Sequence, residues 1–172
     1  EPVATAKALA SLDVMSGGVA LALLLDHDPT LRITGVDLAD DMVALGRRRF
    51  AAELRAGRLE LAQAVVEHLP FATGRFDAAC TANCVYFWPD LDAGLHELAR
   101  VLRPGAPLAV AINSPDALIA AGFAARGLHT LSADELAQRL RAAGFADARA
   151  RRVPDPGNHG AWLIHGHRDA AP

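Results

Sequence analysis

The sequence predicts a single α/β domain, residues 1–172, with a doubly wound, mostly parallel sheet between two helical layers. Three observations carry this. Short apolar, strand-like runs alternate with helical patterns along the whole length, with no internal repeat or low-complexity linker. A glycine turn, Ser16-Gly17-Gly18, opens an Ala/Leu helix, and about twenty residues later a second apolar run ends on an acid at Val36-Asp37. Near the end, two strand-like runs flank the turn-rich Pro154-Asp155-Pro156-Gly157-Asn158 and read as an antiparallel pair.

Taken in order, residues 3–12 are Ala-rich, with Leu9 and Leu12 spaced for one face, and predict a helix. Residues 18–26 continue as a helix apolar nearly all round, which predicts extensive burial. Residues 31–37 alternate and form the second strand. Residues 39–56 are amphipathic, offering Met42, Val43, Leu45, Phe50 and Leu54 for packing, and Gly57 stops that helix. Residues 59–65 are a third strand. Residues 76–82 are short, apolar and turn-bounded, as expected of a central parallel strand. A helix over 92–102 is broken by Arg103-Pro104-Gly105, and residues 107–112 make a fifth strand. Residues 114–130, broken by Pro115, Gly122 and Gly127, read as a variable cover. Ser132-Ala133-Asp134-Glu135 is a capping box opening a helix that runs to Ala143, with Gly144 as its stop. Residues 146–153 and 161–167 are the terminal pair.

The totals narrow the function classes. A 52% hydrophobic, 22% charged chain is ordinary for a soluble globular protein. The net charge of −3 gives no general electrostatic reason to expect nucleic acid as a partner, and Arg47-Arg48-Arg49 reads as a solvated helix face. Cys80 and Cys84 cannot build a disulfide framework or a zinc set, which fits a reducing cytoplasm. No apolar run reaches the roughly 18 residues needed to span a bilayer, and no signal peptide is visible, so no membrane is expected. The sequence begins at Glu1 rather than Met, which leaves room for a preceding segment.

A glycine turn at a helix N-terminus leaves backbone N–H groups free and lets an anionic or polar ligand approach closely. Asp37 at a strand's carboxyl end can accept two ribose hydroxyls; its bland alternative is a cap for the following helix. Met42 can pack on an adenine or fill the core. Together these features suggest a nucleotide-type cofactor.

An ordered set of motifs then carries a resemblance: Val36-Asp37, Glu67-His68-Leu69-Pro70-Phe71, Arg75-Phe76-Asp77, His96-Glu97-Leu98-Ala99-Arg100-Val101-Leu102-Arg103-Pro104-Gly105, and Leu136 and Leu140 before Gly144-Phe145. In this order, covering nearly the entire chain, the set resembles the class I S-adenosylmethionine-dependent methyltransferases of the small-molecule, type 11-like kind. The resemblance implies a Rossmann-like fold, S-adenosyl-L-methionine as cofactor with S-adenosyl-L-homocysteine as product, and a small-molecule methyl acceptor attacked in line. It implies a cofactor site at Ser16, Gly17, Gly18, Asp37, Leu38, Met42, Val65, Val66, Glu67 and Asn83. Many relatives carry an Asp where Val65 stands, accepting from the adenine amino group, so cofactor binding is expected to be weaker or altered.

Residues 81–88 leave the fourth strand, where this architecture overlooks the cofactor's sulfonium end. Asn83 and Tyr86 are assigned to orienting the acceptor, Phe87 to the core, and Trp88 to either. His165 and His167 share a strand face without a third ligand, so no metal is expected. His129 reads as a surface histidine. Acceptor atom and oligomeric state are not readable.

Two other readings stay open. A nicotinamide-dependent oxidoreductase shares the glycine turn and the ribose acid but requires an all-parallel six-stranded sheet. A non-catalytic binding module would keep the fold and explain the departures at the glycine turn and Val65. Relatives show strand-acid-x-Gly-x-Gly-x-Gly, yet aligning Asp13 on the acid leaves only Gly17 in place. No strand fits between Leu12 and Gly17, which predicts that roughly ten residues are absent between Val14 and Met15.

Overall fold

The computed structural model describes residues 6–11, 19–154 and 160–170. Its strands are β1 (Lys7–Ser11), β2 (Arg32–Asp37), β3 (Leu59–Gln63), β4 (Ala78–Ala82), β5 (Pro107–Asn113), β6 (Arg149–Val153) and β7 (Ala161–His167). Its helices are α1 (Val19–His27), α2 (Asp40–Arg49), α3 (Ala51–Arg55), α4 (Leu91–Val101), α5 (Pro115–Ala120) and α6 (Ala133–Ala142). The strands form one sheet in the order β3-β2-β1-β4-β5-β7-β6. Pairings from β3 through β5 are parallel; β7 lies antiparallel between β5 and β6.

The centre of this sheet corrects the sequence reading. The pattern over residues 3–12 favours a helix, but Lys7–Ser11 is a strand hydrogen-bonded on both sides, in register with Arg32–Val36 of β2 and Ala78–Cys80 of β4. Alanine favours a helix only weakly, and two parallel partners outweigh that propensity. The continuous apolar run Ala8-Leu9-Ala10 also fits a strand buried on both faces. Leu9 joins the core under α4 and α6, with Leu95, Leu136 and Ile164, while Ala8 and Ala10 join the core under α1 and α2, with Leu21, Val43 and Ile33. The segment expected to be missing between Val14 and Met15 lies outside the described residues.

Other differences have local causes. α1 is not buried all round: Leu21 and Leu25 are buried, whereas Leu23 is 65% exposed. One stripe faces the sheet and its opposite faces solvent. The helix expected over 39–56 breaks at Phe50, whose backbone (φ −107°, ψ 33°) leaves the α region while its ring stays buried. Gly57 then ends α3 with φ +67°, a left-handed conformation that suits glycine. The capping box is formed: Ser132 Oγ accepts from Glu135 N at 3.2 Å and Glu135 Oε2 accepts from Ser132 N. Both edges of the sheet carry charge. β3 shows Glu60, and β6 exposes Arg149, Arg151 and Arg152.

Candidate functional site

β1 is where the winding reverses, with β2 on one side and β4 on the other. A crevice opens beyond the carboxyl ends of strands at such a point. Here it is floored by Leu9 and Ala10, with one wall from Val36, Asp37, Leu38 and Ala64 to Glu67. The other wall comes from Cys80, Thr81, Cys84, Phe87 and Trp88. Most of the lining is apolar, so the cavity excludes water around a few polar groups.

Asp37 is the central one. It is only 7% exposed, and its Oδ1 accepts from Ala39 N at 2.8 Å. The N-cap of α2 is Ala39, with no side chain capping it, so the carboxylate braces the turn before the helix. The Asp37 carbonyl accepts from Ala64 N at 3.0 Å, tying the strand end to the Val65–Glu67 lining. Leu38, 60% exposed, forms the rim. Its carbonyl accepts from Gln63 Nε2 at 3.1 Å.

The loop after β3 is clamped from α4. Glu97 accepts from Leu69 N at 2.8 Å and from Arg100 Nε at 2.7 Å, and Arg100 also donates to the Leu69 carbonyl at 3.1 Å. The Arg100 hydrogen bond holds the Glu97 carboxyl below the usual glutamate range. Glu67, from the lining, accepts from Asp90 N at 3.1 Å. The sequence motif contains Glu97 and Arg100 without assigning them a task; their i,i+3 spacing on one helix is the available signal. In the same way Asp77 accepts from Lys7 N at 2.8 Å and pairs with Arg103, which ties β1 to the turn after α4.

The wall after β4 is tied together by side chains. Asn83 adopts φ +54°, and its Oδ1 accepts from Asn113 Nδ2 at 3.2 Å and from the Tyr86 hydroxyl at 3.4 Å. That hydroxyl accepts from Asn113 N at 2.6 Å. Tyr86 is 2% exposed and packs edge-on against Phe123, with ring centroids 5.6 Å apart. Asn83 and Tyr86 therefore lock the ends of β4 and β5 together, and neither is among the described residues that line this cavity. Phe87, expected in the core, is 41% exposed and does line it. A lone aromatic triplet in sequence does not reveal which ring turns inward. Trp88 also lines the cavity and rests on α4. The exposed His129 meets the Trp88 carbonyl through Nε2 at 3.1 Å. Met42 is half-buried on α2, outside the lining. Ser16, Gly17 and Gly18 lie outside the described residues.

Burial pushes the Cys80 thiol up to about 11, with nearby Cys84 adding to the shift, so it stays protonated at neutral pH. Among the described residues the buried Thr81 hydroxyl has no hydrogen-bond partner. Also among them, no group of three or more His, Cys, Asp or Glu side chains could hold a metal ion, and no helix is long and apolar enough to cross a membrane.

The profile of the family described as "Methyltransferase domain" matches residues 12–110. The chain belongs to the methyltransferase domain family. The antiparallel β7 and this match together overturn the nicotinamide-oxidoreductase alternative. Among relatives of this methyltransferase domain is the ubiquinone/menaquinone biosynthesis C-methyltransferase of Geotalea daltonii. It is 38% identical over 96 residues, which are 55% of this chain and 41% of the relative. An O-methyltransferase of Pyrenophora dematioidea is 29% identical over 137 residues, 76% of this chain and 51% of its own. The chain thus spans about two-fifths to one half of the length of these curated relatives. A solved complex joins the Haloferax volcanii Trm112 methyltransferase activator to a methyltransferase. It shares the fold with a TM-score of 0.81 at 19% identity, over 96% of this chain and 84% of that one.

Proposed function

We propose that this methyltransferase domain binds S-adenosylmethionine and transfers its methyl group to a small, largely apolar acceptor. The observation that carries the reading is Asp37. A nearly buried carboxylate ends a strand beside the point of reversal, opens into an apolar crevice, and shares it with the apolar loop after β3. Bound there, the cofactor supplies an activated methyl on a good leaving group. Asp37 is the proposed acceptor of the ribose hydroxyls, with Leu38 closing over them. Val65 and Val66 give the base an apolar seat. Glu67 is the lining carboxylate nearest that seat, and its bond to Asp90 N keeps it at the wall. Phe87 and Trp88 form the wall toward which the acceptor would be held.

The lining supplies alignment and desolvation rather than strong proton chemistry. Among the described residues its ionisable groups are Asp37, Glu67 and two thiols, of which Cys80 is held protonated. An acceptor that brings its own nucleophilic atom, such as an enolised or phenolic ring, fits this set. The names of the two relatives, a ubiquinone/menaquinone C-methyltransferase and an O-methyltransferase, are in keeping with carbon or oxygen as the receiving atom. Calorimetry with S-adenosylhomocysteine and with NAD tests the reading. Binding of the former alone supports it, and binding of NAD alone overturns it. Binding of neither favours a non-catalytic module. Transfer of labelled methyl to a demethylated quinone in its reduced, hydroquinone form then tests the acceptor class.

A further inference from the structure

We propose that Gly94 is a positioning residue that sets the width of the cofactor crevice by seating Trp88 and Val66 directly on α4. Gly94 is buried in the interior of α4, where alanine would be the better helix former. Its backbone needs no glycine, since it is absent from the positive-φ glycines. The requirement is space. A Cβ at this position would lie 2.9 Å from Val66 Cγ1, 3.0 Å from Trp88 Cε3 and 3.4 Å from Trp88 Cζ3. Neither neighbour yields easily: Val66 is β-branched and stiff about χ1, and the indole moves only as a rigid plate. Both line the crevice.

α4 cannot retreat instead. Leu91, Leu95, Leu98 and Val101 are buried in the core, Asp90 caps the helix through Ala93 N at 2.9 Å, and Asp92 pairs with Arg139 at 2.8 Å. The chain around Trp88 is held as well, by His129 at its carbonyl and by the Asn83–Tyr86–Asn113 lock. A methyl group at 94 therefore pushes Val66 and Trp88 off their seat and into the space between the two walls. The effect on cofactor affinity rests on the methyl-transfer reading; the seat itself does not.

The test uses the full chain carrying Trp162→Phe, which leaves Trp88 as the only tryptophan, since the sequence has two. Gly94→Ala in this background is expected to keep its circular dichroism while Trp88 emission shifts and becomes more accessible to acrylamide. Affinity for S-adenosylhomocysteine should fall by about tenfold or more, the scale of overpacking a fitted contact. Adding Val66→Ala removes the closest clash and should recover most of both changes relative to Val66→Ala alone. If Gly94→Ala does not fold, the Gly94→Ala/Val66→Ala pair is compared with Val66→Ala alone: a residual Trp88 shift supports the seat, and identical quenching and affinity overturn it. Unchanged quenching and affinity in Gly94→Ala, or a raised melting temperature with both unchanged, would likewise overturn the proposal. Should the parent not bind S-adenosylhomocysteine, the methyl-transfer reading fails, and the fluorescence result alone decides the seat.

Discussion

The two walls of the crevice are built by different means. On one side, Asp37 and Leu38 sit at or just past the end of β2, which pairs with β3, and Val65 to Glu67 follow β3 in a loop that α4 braces at Leu69 N, Glu67 and Val66. On the other, Phe87 and Trp88 lie at the end of a 3-10 turn with no sheet partner, and side chains hold it. These are the Asn83–Tyr86–Asn113 bonds, the Phe123 ring and the Gly94 seat. A wall made of strand ends can spend its polar side chains on a ligand. A wall made of a turn must use them on itself.

The strongest way to break this contrast is Tyr86. Tyr86→Ala should destabilise the fold by about 3–5 kcal/mol through the cavity it leaves. Tyr86→Phe should cost about 1–3 kcal/mol, because the half-buried Asn113 N–H loses its acceptor. Urea unfolding measures both. A Tyr86→Phe variant with unchanged stability and lost turnover would move Tyr86 back to the chemistry and dissolve the distinction between the walls.

Asp37 tests the opposite wall. Asp37→Ala should weaken S-adenosylhomocysteine binding by about 1.5–3 kcal/mol, the value of a hydrogen bond to a charged group. Calorimetry reads this directly. A variant that binds normally would reduce Asp37 to a brace for the Ala39 turn.

Smaller effects sharpen the picture. The Glu97 side chain is 15% exposed and that of Arg100 35%, so Glu97→Gln should cost about 1 kcal/mol near neutrality. Because Arg100 depresses the Glu97 carboxyl in the fold, the unfolded chain binds the extra proton first as pH falls. The stabilisation is therefore complete above the ordinary glutamate value of 4.5 and disappears as pH drops through the lower folded value. Stability curves of parent and Glu97→Gln that stay parallel down to acid would refute the clamp. Val65→Asp, restoring the acceptor found in many relatives, should tighten cofactor binding by about 0.5–1.5 kcal/mol. No gain would mean that another group already reads the base.

What is legible in the sequence follows the same division. β2, β5 and β7 and the helices α4 and α6 match their sequence patterns to within a residue or two, because each carries a period and a stop: the alternation ending on Asp37, the Arg103-Pro104-Gly105 break, the Ser132 capping box. Asp37 is legible as the acid that ends β2, whereas Leu38 and Val65 to Glu67 come from the family resemblance; all of them line the crevice. β1 escapes such a reading because Ala8, Leu9 and Ala10 carry no period that separates a doubly buried strand from a helix. Tyr86 is buried and Phe87 exposed because Asn113 and Phe123 decide their environments. Those partners lie far along the chain and leave no trace in the local pattern. Gly94 is equally silent, because nothing local marks a glycine that is needed for a neighbour's side chain.

The charged outer strand β6 has one more consequence. Its outer side presents backbone groups that could pair with another strand. Arg149, Arg151 and Arg152, all exposed, would be brought against their own counterparts if two copies met along that edge. Like-charge crowding at that seam disfavours pairing of two copies along β6, the way charged side chains guard an edge strand.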